Sequence, residues 1–424
     1  MCIMNKKKNM RELILSHKYE RDHLIKGVYI PRTLLKKAKK SIDTNIIKVI
    51  VGPRRAGKSI FSLQLLKNTN FAYINFDDER LIDIKDYDLI IKGIKEVYGD
   101  TKYLLFDEIQ NLNRWEIFVN RLHRRGYNLI ITGSNSRLLS KEFATHLTGR
   151  YIEFHIYPFS FAEFLKARKI DYRDADSLKE IEGKVLNVLN DYLLIGGFPE
   201  VIIKSLEPKN YLTSLFEGVL FKDVVKRYNV RYAKSLYDLA LYLASNFACE
   251  FSFTKLKDIL VFKSVHTVQN YVKYLEEAFL FFSLTRFSYK LKEQLKAPQK
   301  SYVYDTGLAT ALRFAISPDY GRMIENIVAI ELLRRGKEIY YYRDKNGIEV
   351  DFVIKEGLKI IELIQVSYDI SNSNTKKKEI RALIKAQKEL SVDKLTLITW
   401  DYKGEEIKNG VKIRLIPLWK WLLQ

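Results

Sequence analysis

The segment Gly52-Pro53-Arg54-Arg55-Ala56-Gly57-Lys58-Ser59 fits the spacing G-x-x-x-x-G-K-[ST], and the chemistry of that spacing is the cradling of phosphate. Glycine at both ends lets the backbone curl until its N–H groups point at a β-phosphate. A helix opening at Lys58 adds partial positive charge at the same place. Lys58 then reaches the β- and γ-phosphates, and the Ser59 hydroxyl offers an oxygen ligand to Mg²⁺. Pro53, Arg54, Arg55 and Ala56 line the phosphates, with no further chemistry assigned to them. Downstream, the apolar run Tyr103-Leu104-Leu105-Phe106 ends in two carboxylates, Asp107 and Glu108. Asp107 is placed to hold Mg²⁺ through a water, and Glu108 to orient or deprotonate an attacking water. One acid at a strand end is ordinary solvated surface. Two of them downstream of a phosphate loop imply a site that hydrolyses ATP with Mg²⁺.

Further groups extend this constellation. The run Asn128 to Thr132 leads into Gly133-Ser134-Asn135, where a polar side chain would sit between the two nucleotide-facing strands. Ser134 and Asn135 are both candidates for sensing the γ-phosphate, and spacing does not separate them. Arg150, in Thr148-Gly149-Arg150, offers a guanidinium that could serve a neighbouring subunit as an arginine finger, which implies a homo-oligomer. The competing role is a helix cap or a pair with Glu153.

These residues need elements to hold them. Ile46 to Val51, Phe71 to Phe76, Tyr103 to Phe106 and Asn128 to Ile131 are apolar runs too short for helices. Helical segments such as Ser59 to Lys67 and Trp115 to Arg125 separate them. That alternation predicts an α/β domain over residues 1–165, with a parallel sheet covered on both faces. Residues 166–305 predict a helical lid followed by two helices, Thr254 to Leu260 and Ser264 to Glu277, with Ser264 as N-cap. A strand-like run Ala278 to Phe287, a lysine-spaced stretch and a strand Tyr302 to Tyr304 then predict a basic hairpin, the pattern of a winged helix. Lys263, His266, Gln269, Asn270 and Lys273 fall on the outward face of the second helix. With Lys290, Lys292 and Lys296 of the hairpin they suit duplex DNA held mainly through its phosphates. The alternative is a solvated lysine surface with the helix docked on the ATPase domain. Residues 306–424 return to an α/β pattern.

The 424 residues carry 72 Lys and Arg against 51 Asp and Glu, a net +21 that favours a polyanionic partner or reflects a lysine-rich surface. Apolar runs such as Ala278 to Phe282 fall far short of the ~20 residues that span a bilayer. The basic start MCIMNKKKNMREL has no apolar run behind it, against a signal peptide. Cys2 and Cys249 supply neither a disulfide framework nor a four-ligand zinc site. The expectation is a cytoplasmic protein with no membrane partner.

The runs GPRRAGKS, NFDDERL, YLLFDEIQNLNRWE, ITGSNSRLLS and LTGRYIEFHIYPFSFAEFL resemble AAA+ ATPases of archaea and bacteria that carry an uncharacterised C-terminal region. LIGGFPEV, YVYDTGLA and EVDFVI resemble signature stretches of that region. The resemblance implies an ATPase core, a winged-helix middle and a C-terminal fold similar to PD-(D/E)XK nucleases. Such a nuclease site takes an Asp on one strand, Glu-x-Lys on the next and often a Glu from the preceding helix. Glu325 and Asp351 match. The third part departs: with Glu362 as the acid the lysine position holds Ile364, and with Gln365 it holds Ser367. A degenerate, DNA-binding or structural module is therefore expected. The sequence points to an ATP-hydrolysing AAA+ protein acting on or with DNA. An ATP-gated nuclease and a nucleotide switch that binds protein partners are the alternatives.

Overall fold

The computed structural model describes residues 2–136, 149–313, 317–408 and 410–424, with side chains from residue 9 onward. The chain divides into two units, Met1–Tyr157 and Pro158–Gln424, so the expected boundary at residue 305 falls inside the second.

In the first unit the short apolar runs become β1 (Ile47–Val51), β2 (Phe71–Asn75), β3 (Tyr103–Asp107), β4 (Asn128–Gly133) and, beyond them, β5 (Tyr151–His155). All pair in parallel, in the order β2-β3-β4-β1-β5. Every residue of β1 and β4 is buried, which is why their sequences are nearly continuous in apolar residues instead of alternating. Lys48 is the exception within β1. Its ammonium is satisfied by the carbonyls of Ile42 (3.0 Å) and Thr44 (2.6 Å) and by Asn128 Oδ1 (2.7 Å), the bonding that a buried charge requires. The helices of this unit include α1 (Cys2–Ile25), α2 (Lys58–Leu66), α3 (Asp88–Tyr98) and α4 (Trp115–Arg124). Strand β4 separates β1 from β3, so whatever ends β4 stands between the phosphate loop and the paired acids.

The second unit begins with helices that include α5 (Lys179–Ile195). There follow α6 (Ala233–Ser245), β6 (Cys249–Phe251), α7 (Phe253–Ile259), α8 (Val265–Glu277), β7 (Phe281–Thr285) and β8 (Gln299–Val303). The three strands form an antiparallel sheet in the order β6-β8-β7. Ser264 Oγ accepts the N–H of His266 (3.1 Å) at the start of α8, whose Val268, Tyr271, Val272 and Leu275 are buried. The expected lysine hairpin needs correction. β7 and β8 do pair, but the stretch between them folds as a helix, α9 (Leu291–Lys296). Leu, Lys, Glu and Gln there are all good helix formers without β-branching, and that local preference wins.

The chain continues through α10 (Thr306–Leu312), α11 (Tyr320–Arg334), β9 (Glu338–Arg343), β10 (Glu349–Glu356), β11 (Lys359–Ser367), α12 (Ser373–Leu390), β12 (Leu395–Thr399), β13 (Gly404–Lys408) and β14 (Val411–Pro417). These strands make a mixed sheet, β13-β14-β12-β11-β10-β9, with β9 to β11 antiparallel and β11, β12 and β14 parallel. Ile380, Leu383, Ala386 and Leu390 of α12 close a core with Leu363, Leu395, Leu397 and Leu415 of the sheet. The GG of LIGGFPEV meets the DTG of YVYDTGLA. Asp305 accepts the N–H of Gly197 (2.7 Å) and, as N-cap of α10, that of Leu308 (3.2 Å). Burial pushes the Asp305 carboxyl up to about 7.

Candidate nucleotide site

The phosphate loop joins the end of β1 to the start of α2. Gly57 adopts φ +96°, a region that suits glycine, and hands the chain into the helix at Lys58. Gly52 is fixed by crowding, since a Cβ there would lie 2.0 Å from the carbonyl oxygen of Ile156. Beneath the loop the buried Arg32 donates to the carbonyls of Ala56 (2.8 Å) and Tyr157. Lys58 is only 4% exposed; its Nζ donates to the Pro53 carbonyl (2.9 Å) and lies 3.9 Å from Glu108 Oε1. Arg54 is half-buried, 4.0 Å from Asp77, while Arg55 is exposed and Pro53 and Ala56 are buried.

The paired acids end β3, and their environments push them apart. Asp107 is buried, and burial with the neighbouring Glu108 charge raises its carboxyl above the usual range, against hydrogen bonds from Thr132 and Ser59. Its Oδ1 accepts the Thr132 hydroxyl and its Oδ2 the Tyr73 hydroxyl (3.2 Å). Burial would raise Glu108 too, but the Lys58 ammonium and hydrogen bonds from Gln110 and Ser134 hold it below its ordinary value. Glu108 leaves the strand in a left-handed turn at φ +49°, a conformation that costs a non-glycine residue of order 1–3 kcal/mol and is concentrated at functional sites. Thr132 Oγ1 accepts its N–H (3.1 Å). Adjacent carboxyls displaced in opposite directions by their surroundings are the kind of pair found at functional sites.

Ser134 and Asn135 are both buried beyond β4, and Ser134 Oγ donates to Glu108 Oε2 (3.0 Å). Sequence reasoning missed Thr132, Tyr73, Gln110 and Arg32. A polar residue closing a buried apolar strand could have flagged Thr132; nothing local flags the others. Arg150 stands elsewhere. Its carbonyl accepts the N–H of Ile47, at the start of β1, and its guanidinium donates to Asn120 Oδ1 on α4 (3.1 Å). Five residues of strand, roughly 16 Å, separate it from its own phosphate loop. Thr148 and the rest of residues 137–148, parts of two runs that carry the resemblance, lie outside the described residues.

In the second unit Lys263, His266, Gln269 and Lys273 are exposed on α8 and its approach. Asn270 is half-buried, with its Nδ2 3.1 Å from His266 Nδ1. Lys290, Lys292 and Lys296 are exposed on α9 and its approach, Lys290 being 3.4 Å from Glu293. Of the nuclease-like candidates, Glu325, Asp351 and Gln365 come together, whereas Glu362 does not. Glu362 accepts from Thr396 Oγ1 (2.7 Å) and Lys394 Nζ (2.8 Å) on another part of the sheet. Among the described residues no helix is long and apolar enough to cross a membrane.

Residues 44–165 match the model of an AAA domain. Residues 186–319 and 320–421 match two domains of unknown function, DUF8612 and DUF4143. An uncharacterised protein of Methanocaldococcus jannaschii, MJ1544, is 40% identical over 89% of this chain and 88% of its own length. An uncharacterised protein of Haemophilus influenzae is 31% identical over 90% of this chain and 95% of its own. Among solved structures, the Walker-type ATPase paby2304 of Pyrococcus abyssi aligns at a TM-score of 0.44 and 15% identity, over 68% of this chain and 99% of that one. This chain belongs to the family of MJ1544 and its Haemophilus influenzae relative, and it carries an AAA domain at residues 44–165.

Proposed function

We propose that the protein is an Mg²⁺-dependent AAA+ ATPase that acts on or with duplex DNA. The observation that carries the hydrolytic part is the convergence of Lys58, at the start of α2, and Ser134, just beyond β4, on Glu108 at the end of β3, one at ion-pairing and the other at hydrogen-bonding distance. Ser59 and Asp107 offer hydroxyl and carboxylate oxygens, the hard donors Mg²⁺ prefers, and they would hold it. An Mg²⁺ ion held there would supply charge neutralisation for the phosphates of the nucleotide. The loop N–H groups and Lys58 hold those phosphates. Glu108, kept ionised by Lys58, orients the attacking water and accepts its proton. Ser134 or Asn135 registers whether the γ-phosphate is present, and Thr132 fixes Asp107 for its task. Arg150, too far from its own loop, acts on a neighbouring subunit.

The order α6-β6-α7-α8-β7-β8 supports a winged helix, and exposed polar or basic groups on α8 and α9 support a DNA-facing surface. Phosphate release measured with and without Mg²⁺ and duplex DNA tests the whole. Hydrolysis that needs Mg²⁺ and rises with DNA is expected; no hydrolysis under any of these conditions overturns the ATPase assignment. One observation favours a protein partner instead. Tyr289, Leu291 and Leu295, on and beside α9, are 72%, 66% and 74% exposed. Indifference to DNA, with activity altered by Leu291→Ser and Leu295→Ser in the presence of a partner, would favour the protein-binding switch.

A further inference from the structure

Glu325, Asp351 and Gln365 meet where a nuclease-like centre would be, but a lysine lies among them. Lys300 of β8 is 4% exposed. Its Nζ lies 2.9 Å from Glu325 Oε1, 2.5 Å from Glu349 Oε1 and 3.5 Å from Asp351 Oδ1. Its spacing in the sequence groups it with Lys290, Lys292 and Lys296 on an exposed hairpin, and the structure buries it instead. Tyr302, on the same strand, donates to Glu325 Oε1 (2.7 Å), and the Tyr341 ring centroid is 5.9 Å from the ammonium.

Protein cations already occupy this cluster: Lys300 serves Glu325, Glu349 and Asp351, and Arg343, paired with Glu250, lies 3.8 Å from Glu349 Oε2. Burial and the Glu325 charge drive Asp351 well above the usual carboxylate range, toward the neutral acid, while Val366 N–H donates to its Oδ2 (2.9 Å). Gln365 accepts the Asp351 N–H (3.2 Å) and donates to Glu379 (2.7 Å). An ionised carboxylate at 365 could accept but could not donate. A divalent ion in a nuclease-like centre needs several oxygen ligands converging on it. With Lys300 in place that set does not form: its Nζ takes up oxygens of Glu325, Glu349 and Asp351, and among the described residues no three acidic side chains are grouped, as they stand, to hold a metal ion.

We propose that Lys300 is the resident cation of this centre, in the place a divalent ion would take, so that the centre binds no metal, cuts no phosphodiester bond and instead fastens β8 to α11 and β10. Stripping one partner from such a buried cluster leaves charge without compensation, so removing Lys300 alone should cost stability. The inference stands apart from the ATPase assignment and is tested on nucleotide-free, full-length protein. Mn²⁺ is titrated calorimetrically, with thermal unfolding followed in parallel. Wild type should show no Mn²⁺ binding that depends on Asp351 and no melting shift in millimolar Mn²⁺. Lys300→Met should melt lower and gain one Mn²⁺ site, which is lost again on adding Asp351→Asn. Three results overturn the proposal: wild-type Mn²⁺ binding or DNA cleavage that Asp351→Asn abolishes, a Lys300→Met protein as stable as wild type, or a destabilised one that takes up no Mn²⁺. Should Lys300→Met fail to fold, the wild-type and Asp351→Asn titrations decide: matching traces support the proposal and differing traces overturn it.

Discussion

Replacing Glu108 by Gln should separate hydrolysis from binding, and the geometry sets how far. Glu108 and Lys58 are 3.9 Å apart, so their attraction at an effective dielectric of 20 is about 4 kcal/mol. Glu108 is 22% exposed and solvent takes part of that. About 1 kcal/mol then remains as competition between the carboxylate and a nucleotide's phosphates for the same ammonium. Gln keeps the volume, and its amide oxygen can still accept the Ser134 hydroxyl, but the charge is gone. ATP should therefore bind roughly fivefold tighter. Turnover should fall by about 10² to 10⁴, the usual contribution of a positioned base, or about 3–5 kcal/mol of barrier. A fluorescent ATP analogue titrated in parallel with steady-state phosphate release measures both. A Gln variant that turns over like wild type refutes the role of Glu108, and one that binds ATP more weakly refutes the competition with Lys58.

Lys58→Ala should do the reverse of Glu108→Gln, weakening nucleotide binding itself in the same titration. Thr132→Val removes the hydroxyl bonded to Asp107 while preserving shape, and should lower turnover about tenfold with ATP affinity nearly unchanged. Mixing Arg150→Ala with Lys58→Ala subunits should restore turnover, each supplying what the other lacks; activity that persists in demonstrably monomeric protein would exclude a finger in trans. Reversing Lys290, Lys292 and Lys296 to Glu should weaken DNA binding alike on unrelated sequences and flatten its salt dependence, by about 0.9 in log–log slope for each phosphate no longer neutralised. Asp305 carries a folded-state carboxyl near 7, above its unfolded value, so it binds its proton more tightly when folded. Its stabilisation is full below about pH 4 and lost as pH rises through 7, by up to about 1.4 kcal/mol per pH unit. Thermal melts from pH 4 to 8 should therefore fall more steeply for wild type than for Asp305→Asn.

The phosphate loop and the acid pair are legible in the sequence because they are local: a fixed spacing, and an apolar run that stops at two carboxylates. What holds them is not. Thr132 and Tyr73 reach Asp107 only because β4 and β2 flank β3, and strand order is written nowhere in a short window. Helix α9 escapes notice because closely spaced lysines between two strands look like a wing, whatever their helix propensity. Strand β13 is short and mostly exposed, so it carries no apolar pattern to find. Lys300 continues the spacing of its exposed neighbours. Only the packing of α11 and β10 against β8 distinguishes it from them.

The buried ammonium also bears on how this protein can be taken apart. A cut at residue 305, where the sequence returns to an α/β pattern, would leave Lys300 on a fragment whose strand β8 has lost Glu325, Glu349 and Asp351. The complementary fragment would keep those acids clustered without the ammonium, with only Arg343 beside Glu349. Neither half would be a self-sufficient folding unit, and each would expose a charged seam prone to misassembly. During synthesis the same dependence means that β8 waits, already made, until the chain has reached at least Asp351. Residues 158–424 should accordingly unfold in one transition, with no separate melting of the three-stranded sheet.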